Sequence, residues 1–195
     1  MNAPAPPRLV LASTSAYRRE LLGRFGHPFD CEAPGVDEAR RAGETPLELA
    51  VRLARAKAEA VAGRHPGAVV VGSDQVAVRG DEVLGKPGSV ECCIAQLKAS
   101  SGREVEFLTA VHVVRGGAAE SHVDRTVVRF RTLGREEIVR YVAADRPLDC
   151  AGGFKAESLG IALFESIESR DPTGLTGLPL AWLSGALRRA GIPVP

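Results

Sequence analysis

Residues 9–22 read Leu-Val-Leu-Ala-Ser-Thr-Ser-Ala-Tyr-Arg-Arg-Glu-Leu-Leu, and this stretch decides the fold class. Leu9 to Ala12 is a short apolar run of the kind that forms a buried strand. It ends at the hydroxyls Ser13, Thr14 and Ser15, and a helical period starts at Arg18 and continues through Leu21 and Leu22. A strand that enters a helix through hydroxyls leaves backbone N–H groups pointing outward, where an anion can bind. Arg18 and Arg19 stand in the first turns, where the helix dipole favours acids instead. A polyanion such as a triphosphate would relieve that misfit. The plainer alternative is a helix capped by Ser15 with solvated arginines, and the segment alone does not separate the two.

Working outward, Thr45-Pro46-Leu47-Glu48 opens a second helix with Thr at the N-cap, Pro at the first helical position and Glu completing a capping box. Apolar positions Leu47, Ala50, Val51, Leu53, Ala54, Ala58 and Val61 carry it to about Gly63. Lys57 borders that apolar stripe, as a snorkelling lysine or as a ligand cation. Ala68 to Gly72 is a continuous apolar run of the central-strand type. Asp74, flanked by Ser73 and Gln75, interrupts it before Val76-Ala77-Val78 resumes the strand and Arg79-Gly80-Asp81 turns it. A lone acid in a buried strand is costly unless it is paired or binds a cation. It is therefore a site candidate.

Residues 89–99 have helical period, and Glu104 to Val114 alternates as a strand. Gly116-Gly117 then turns the chain into the alternating run His122 to Phe130, a hairpin. Glu136 to Ala144 is helical, Leu159 to Phe164 reads as an apolar strand, and a last helix spans about Leu178 to Ala190. Alternating strands and helices around one antiparallel hairpin predict an α/β class. The expected shape is an elongated mixed sheet flanked by helices, with two lobes and a central cleft. One domain is expected over residues 1–195, with the Pro-rich residues 1–7 as a flexible lead-in rather than a signal peptide.

The chain has 195 residues, 45% of them hydrophobic, enough for a substantial core. A formal net charge of +1 argues against holding long nucleic acid by bulk electrostatics, but a small phosphorylated ligand needs only a local cluster of cations. No apolar run reaches the ~18 residues of a membrane span. Cys31, Cys92, Cys93 and Cys150 show no C-x-x-C spacing, so reduced and mostly buried thiols in a cytoplasmic protein are expected. No P-loop of the G-x-x-x-x-G-K-[ST] form is present, which excludes a Walker-type NTPase. His27, His65, His112 and His122 are scattered and lack a matching nucleophile.

Hydrolysis of a triphosphate needs cations on the leaving phosphates, a divalent metal and a base for water. Arg18, Lys57, Lys86 and Lys155 are the candidate cations. Lys86 lies on a rigid Gly-Lys-Pro loop, and Lys155 follows Gly152-Gly153-Phe154. Asp74 is the candidate base, holding the attacking water or sharing a metal with it. Glu38 is a second candidate metal ligand, and Asp37 beside it reads equally well as a solvated acidic turn. Tyr17 could stack on a base, and Glu157 could accept from the paired N1–H and N2 donors of guanine. Without further information each could equally be an exposed side chain.

Several motifs carry a family resemblance: Ser13-x-Ser15 with Arg18 and Leu21-Leu22, Val36-Asp37-Glu38, Gly72-Ser73-Asp74-Gln75-Val76, Gly85-Lys86-Pro87, Ser101-Gly102, Cys150 to Glu157, and Gly174 to Pro179. In this order they resemble the Maf proteins, nucleoside triphosphate pyrophosphatases related in fold to inosine triphosphate pyrophosphatases. Ala16 stands where the pattern usually has Pro. Tyr17, Gln75 and Glu157 are similar to the branch that acts on 7-methyl-GTP, although Tyr17 replaces a frequent Trp. The resemblance implies hydrolysis of 7-methyl-GTP to 7-methyl-GMP and pyrophosphate with Mg²⁺ or Mn²⁺. It implies substrate contacts from Ser13, Ser15, Tyr17, Arg18, Lys57, Gln75, Lys86, Lys155 and Glu157. A dTTP/UTP pyrophosphatase and a nucleotide-binding regulator of cell division without turnover are the rival expectations. A homodimer is left open.

Overall fold

The computed structural model describes residues 6–195, so most of the lead-in expected at residues 1–7 lies outside the described residues. Strand β1 (Leu9–Leu11) is followed by α1 (Ala16–Gly23) and the short β2 (Asp30–Cys31). Helix α2 (Pro46–Ala62) leads to β3 (Val69–Arg79), β4 (Glu82–Leu84) and α3 (Val90–Ser100). The long strands β5 (Glu104–Arg115) and β6 (Ala118–Phe130) form the expected hairpin, followed by α4 (Arg135–Asp145), β7 (Phe164–Ser169) and α5 (Leu180–Arg189). Among the described residues, seven strands form one mixed sheet in the order β2-β1-β3-β5-β6-β7, with β4 also paired to β3. Only the β1 pairings are parallel; β3, β4, β5, β6 and β7 pair antiparallel.

Side chains alternate across β3, and this alternation divides the interior. On one face, Val69 and Val71 join Leu9, Leu11, Leu21, Leu22, Leu183 and Leu187 in a core under α1 and α5. Farther along the same face, Ala77 joins Phe107, Phe130, Leu97, Ile138 and Phe154 under α3 and α4. The polar residues Ser73 and Gln75 stand between these two cores, which are the two lobes foreseen from sequence. The opposite face of β3 packs on α2 through Val70, Val76, Val78, Leu53, Ala54 and Ala58. Gly72 permits this contact, because a Cβ there would stand 2.3 Å from the Ala54 carbonyl oxygen.

Five expectations need correction. The helix period expected from Arg18 begins at Ala16, because Ser15 takes the extended N-cap conformation and its hydroxyl accepts from Arg18 N. The apolar run Leu159–Leu163 is a 3-10 helix, and the strand starts only at Phe164. Gly160 is pressed against the Lys155 backbone, where a Cβ would meet its carbonyl oxygen at 2.4 Å, so the chain coils tightly there and Leu159 and Ile161 remain exposed. Asp74 does not break its strand: β3 pairs with β5 continuously from Val70 to Val78. Leu47 and Val51, assigned to the apolar stripe of α2, are exposed, while Leu49 is buried in their place. The thiols also differ from expectation, with Cys31 and Cys92 exposed, Cys93 buried, Cys150 half-buried and none in a disulfide.

Candidate active site

The site begins as a gap in strand pairing. On one edge of β3, β1 covers Val69 to Val71 and β4 covers Ala77 to Arg79. The edge from Gly72 to Val76 lies between these two neighbours. Residues from both faces of β3, Asp74 and Gln75, therefore line the cavity that opens there, with a volume of about 810 Å³. That is ample for a nucleoside triphosphate, since ligand pockets run to ~300–1,000 Å³. Its walls come from the β1–α1 junction (Ala12 to Arg18), from Gly85-Lys86, from Asp149 to Ala151 with Glu157, and from Leu175 to Gly177.

At the centre, Lys57 and Asp74 meet 17 residues apart in sequence, with Lys57 Nζ donating to Asp74 Oδ1 at 2.7 Å. The same ammonium holds Glu38 Oε1 at 2.7 Å. Lys57 is 5% and Asp74 7% exposed, so the acid is deeply placed but not lone, which corrects the expectation from sequence. Burial pushes the Asp74 carboxyl above its ordinary value, opposed by the Lys57 and Arg18 charges. Helix α2 supplies Lys57 because the capping box forms as expected: Thr45 Oγ1 accepts from Glu48 N at 3.2 Å, and Glu48 Oε2 accepts from Thr45 N at 2.8 Å.

The β1–α1 junction adds the anion-facing side. Ser15 Oγ caps α1, accepting from Arg18 N at 3.4 Å, and Ser13 Oγ accepts from Ser15 N at 3.1 Å. Arg18 is half-buried, not solvated. Its Nε donates to the Gly177 carbonyl at 3.1 Å, and burial draws its guanidinium down while the Asp74 and Glu38 charges oppose this. The same carbonyl accepts from the buried Ser73 Oγ at 2.9 Å. Lys86 lines the cavity and is exposed. Tyr17 and Glu157 line it too, and the Tyr17 hydroxyl lies 3.6 Å from Cys150 Sγ. Burial raises both groups, Cys150 to about 11, so both stay protonated near neutrality.

Two of the sequence-predicted residues behave differently. Gln75 lines the cavity, but its Nε2 donates to Leu175 O (2.9 Å), Gly174 O (3.1 Å) and Thr109 Oγ1 (2.9 Å). Its amide thus holds the 174–177 segment. Lys155 is not among the lining residues, and its Nζ donates to Asp145 O at 2.9 Å, at the end of α4. Sequence reasoning assigned no role to Ser73, Gly177 or Asp149. Gly174 to Pro179 had been singled out as a motif, and its glycines were the available signal: Gly177 has φ +118°, and a Cβ on Gly174 would strike Asp124 Oδ2 at 2.3 Å.

Among the described residues, no three His, Cys, Asp or Glu side chains gather as a ready-made metal cage. Of the carboxylates that line the cleft, those of Asp74 and Glu38 converge, both on Lys57 Nζ. A hard Mg²⁺-type ion takes one or two carboxylates and completes its shell from phosphate and water. The residues therefore fit such an ion arriving with a polyphosphate.

Fold and site together define an α/β protein with a nucleotide-sized, anion-accepting cleft at an open stretch of sheet edge. The Staphylococcus aureus Ham1 protein has this fold, with a TM-score of 0.52 and 16% identity, covering 92% of this chain and 99% of that one. A family model described as Maf-like protein matches residues 8–190, and the chain belongs to that family. Among its relatives, a 7-methyl-GTP pyrophosphatase of Pseudomonas putida is 51% identical over 189 residues, 96% of this chain and 98% of that protein. A 7-methyl-GTP pyrophosphatase of Xanthomonas campestris pv. campestris is 55% identical over 190 residues, 97% of this chain and 99% of that protein.

Proposed function

We propose that the chain hydrolyses 7-methyl-GTP to 7-methyl-GMP and pyrophosphate. The observation that carries the reading is the buried Asp74–Lys57 pair, with the exposed Glu38 held by the same ammonium, in a cleft whose wall also presents Tyr17 and Glu157. Near-full-length relatives at 51% and 55% identity that bear that activity in their names support the choice of substrate.

Asp74 is the general base. Lys57 favours its ionised form against the cost of burial, and its carboxylate lines the cleft where the attacking water would enter. The water oxygen bonds to the α-phosphorus, its proton passes to Asp74, and the bond from that phosphorus to the bridging oxygen breaks. Pyrophosphate leaves with the bonding pair, its charge met by Arg18 and Lys86. Arg18 is aimed by the Gly177 carbonyl, so little reorganisation is needed as charge develops. Ser13 and Ser15 shape the turn that receives the phosphates. Asp74 and Glu38 would hold a Mg²⁺ or Mn²⁺ ion, which when bound supplies neutralisation of the polyphosphate charge.

At the base end, N7-methylation makes guanine cationic. The Tyr17 face and the Glu157 carboxylate then each gain attraction that neutral GTP does not offer. Cys150 and Asp149 stand beside them. The reading places the protein in the cytoplasm, where its unpaired thiols stay reduced; no helix among the described residues is long and apolar enough to cross a membrane.

Turnover across 7-methyl-GTP, GTP, dTTP and UTP, with products followed by phosphorus NMR, tests the reading. Pyrophosphate as first product and the highest kcat/KM on 7-methyl-GTP are expected. Glu157→Gln should lose the methylated substrate preferentially, by roughly 1–3 kcal/mol for each mismatched polar contact. A dTTP/UTP enzyme would instead prefer the pyrimidines, and a regulator without turnover would release no pyrophosphate.

A further inference from the structure

Residues 32–45, between β2 and α2, contain no strand or helix, yet three basic side chains of α2 and its C-terminal end hold them. Arg64 Nη2 donates to Ala33 O at 2.9 Å and its Nε pairs with Glu32. Lys57 holds Glu38 at 2.7 Å. Arg52 makes the third attachment: Nε donates to Glu44 Oε1 at 2.5 Å, Nη2 to Glu44 Oε2 at 2.9 Å, and Nη2 also to Ala39 O at 3.0 Å.

The first and third attachments do not touch the cleft, and the third is the most strongly built. The Glu44 side chain is only 8% exposed, against 60% for Glu38. Its carboxylate also accepts from Arg41 N at 3.0 Å, and its carbonyl accepts from Arg40 Nη2 at 2.6 Å and Nε at 2.9 Å. Residues 39–44 are thus closed on themselves and clipped to α2 through a bidentate pair, the strongest form of ion pair. Glu38 is the residue immediately before this closed unit, and Ala39, next to it, carries the carbonyl that Arg52 holds. An exposed, flexible glutamate gains little from a lysine unless its backbone is already placed.

We propose that the Arg52–Glu44 pair is a clasp that places Glu38 against Lys57, making Arg52 and Glu44 positioning residues for the reaction. The proposal rests on the function read above. Arg52 acts through the Ala39 carbonyl: it sets where Glu38 sits, and so how the Lys57 charge is divided between Glu38 and Asp74.

The test compares Arg52→Ala, Arg52→Lys, Glu44→Gln, Glu38→Gln and the Arg52→Ala/Glu38→Gln double variant. Each is followed by kcat and KM on 7-methyl-GTP, and by amide hydrogen exchange over residues 37–45. Residues that orient a ligating or catalytic group typically cost 10- to 100-fold when removed, and Arg52→Ala and Glu44→Gln should lose roughly that. Arg52→Lys, which keeps the charge but not the fork, should fall between them and the parent. In the Glu38→Gln background the Arg52→Ala loss should vanish, and exchange should rise at residues 39–44 while β3 stays protected. Additive losses, or unchanged kinetics in Arg52→Ala, would overturn the clasp. If Glu38→Gln or the parent chain itself contradicts the proposed function, exchange decides alone: faster exchange at 39–44 in Arg52→Ala supports the clasp, and unchanged exchange refutes it.

Discussion

Replacing Asp74 with Asn separates the chemistry from the fold. An amide oxygen can still accept from Lys57 Nζ at the 2.7 Å contact, and Glu38 remains as counter-charge on the same ammonium. What disappears is the proton acceptor. Loss of a general base costs about 10²–10⁴ in rate, or about 2.7–5.4 kcal/mol of barrier at 1.36 kcal/mol per tenfold. Stability should move the other way. Burial raises the Asp74 carboxyl above its ordinary value, so its stability contribution is complete below the unfolded value (~3.9) and is lost as pH rises through the folded one. At neutral pH the charge is therefore a liability to the fold, and Asp74→Asn should melt at or above the parent temperature, the difference closing below about pH 4. Steady-state turnover of 7-methyl-GTP from pH 4 to 9 and thermal melts at pH 4 and 7 give both quantities. The parent's kcat/KM should fall as pH drops through the raised Asp74 value, and the variant should lack that acid limb. Turnover within a few-fold of the parent, or a variant that fails to fold, would refute the assignment.

Lys57→Met should be destabilising as well as inactivating: removing one partner of a buried pair costs about 3–5 kcal/mol, roughly 6–20 °C in Tm for a chain of this size. What activity remains should have its acid limb displaced to higher pH, because Asp74 loses the charge that lowers it, and a pH–rate profile reads this. Gln75→Ala removes a donor shared by Gly174 O and Leu175 O; Gly174 O keeps Thr109 Oγ1 and Gly177 N, so the cost is about 1–3 kcal/mol for Leu175 O, and KM should rise as the 174–177 wall loosens. Lys155→Met should cost about 0.5–1.5 kcal/mol of stability through the lost bond to Asp145 O, with KM for 7-methyl-GTP unmoved; a large rise in KM would show that its ammonium swings into the cleft.

Whatever depends on near neighbours in the chain was legible in the sequence. The Thr45–Glu48 capping box, the β1-to-α1 junction at Ser13–Ser15, the Gly116-Gly117 hairpin and the alternation of β5 and β6 all follow from periodicity and turn chemistry within a few residues. Asp74 was visible as an acid that an apolar strand does not need. The Leu159–Leu163 run misled because apolar content does not distinguish an extended segment from a tight coil; the close approach of Gly160 to the Lys155 backbone decided it. Only tertiary structure shows that Asp74 is paired, because strand alternation says which face a side chain takes but not what packs on that face. The Gly177 carbonyl is the clearest case: it joins Arg18 and Ser73 across 159 and 104 residues. The cleft itself exists because β1 and β4 pair with different parts of β3 and leave the edge between them open. Local propensity sets the length of each strand, whereas register, and with it the position of that opening, is set by how the two cores on either side of Ser73 and Gln75 pack.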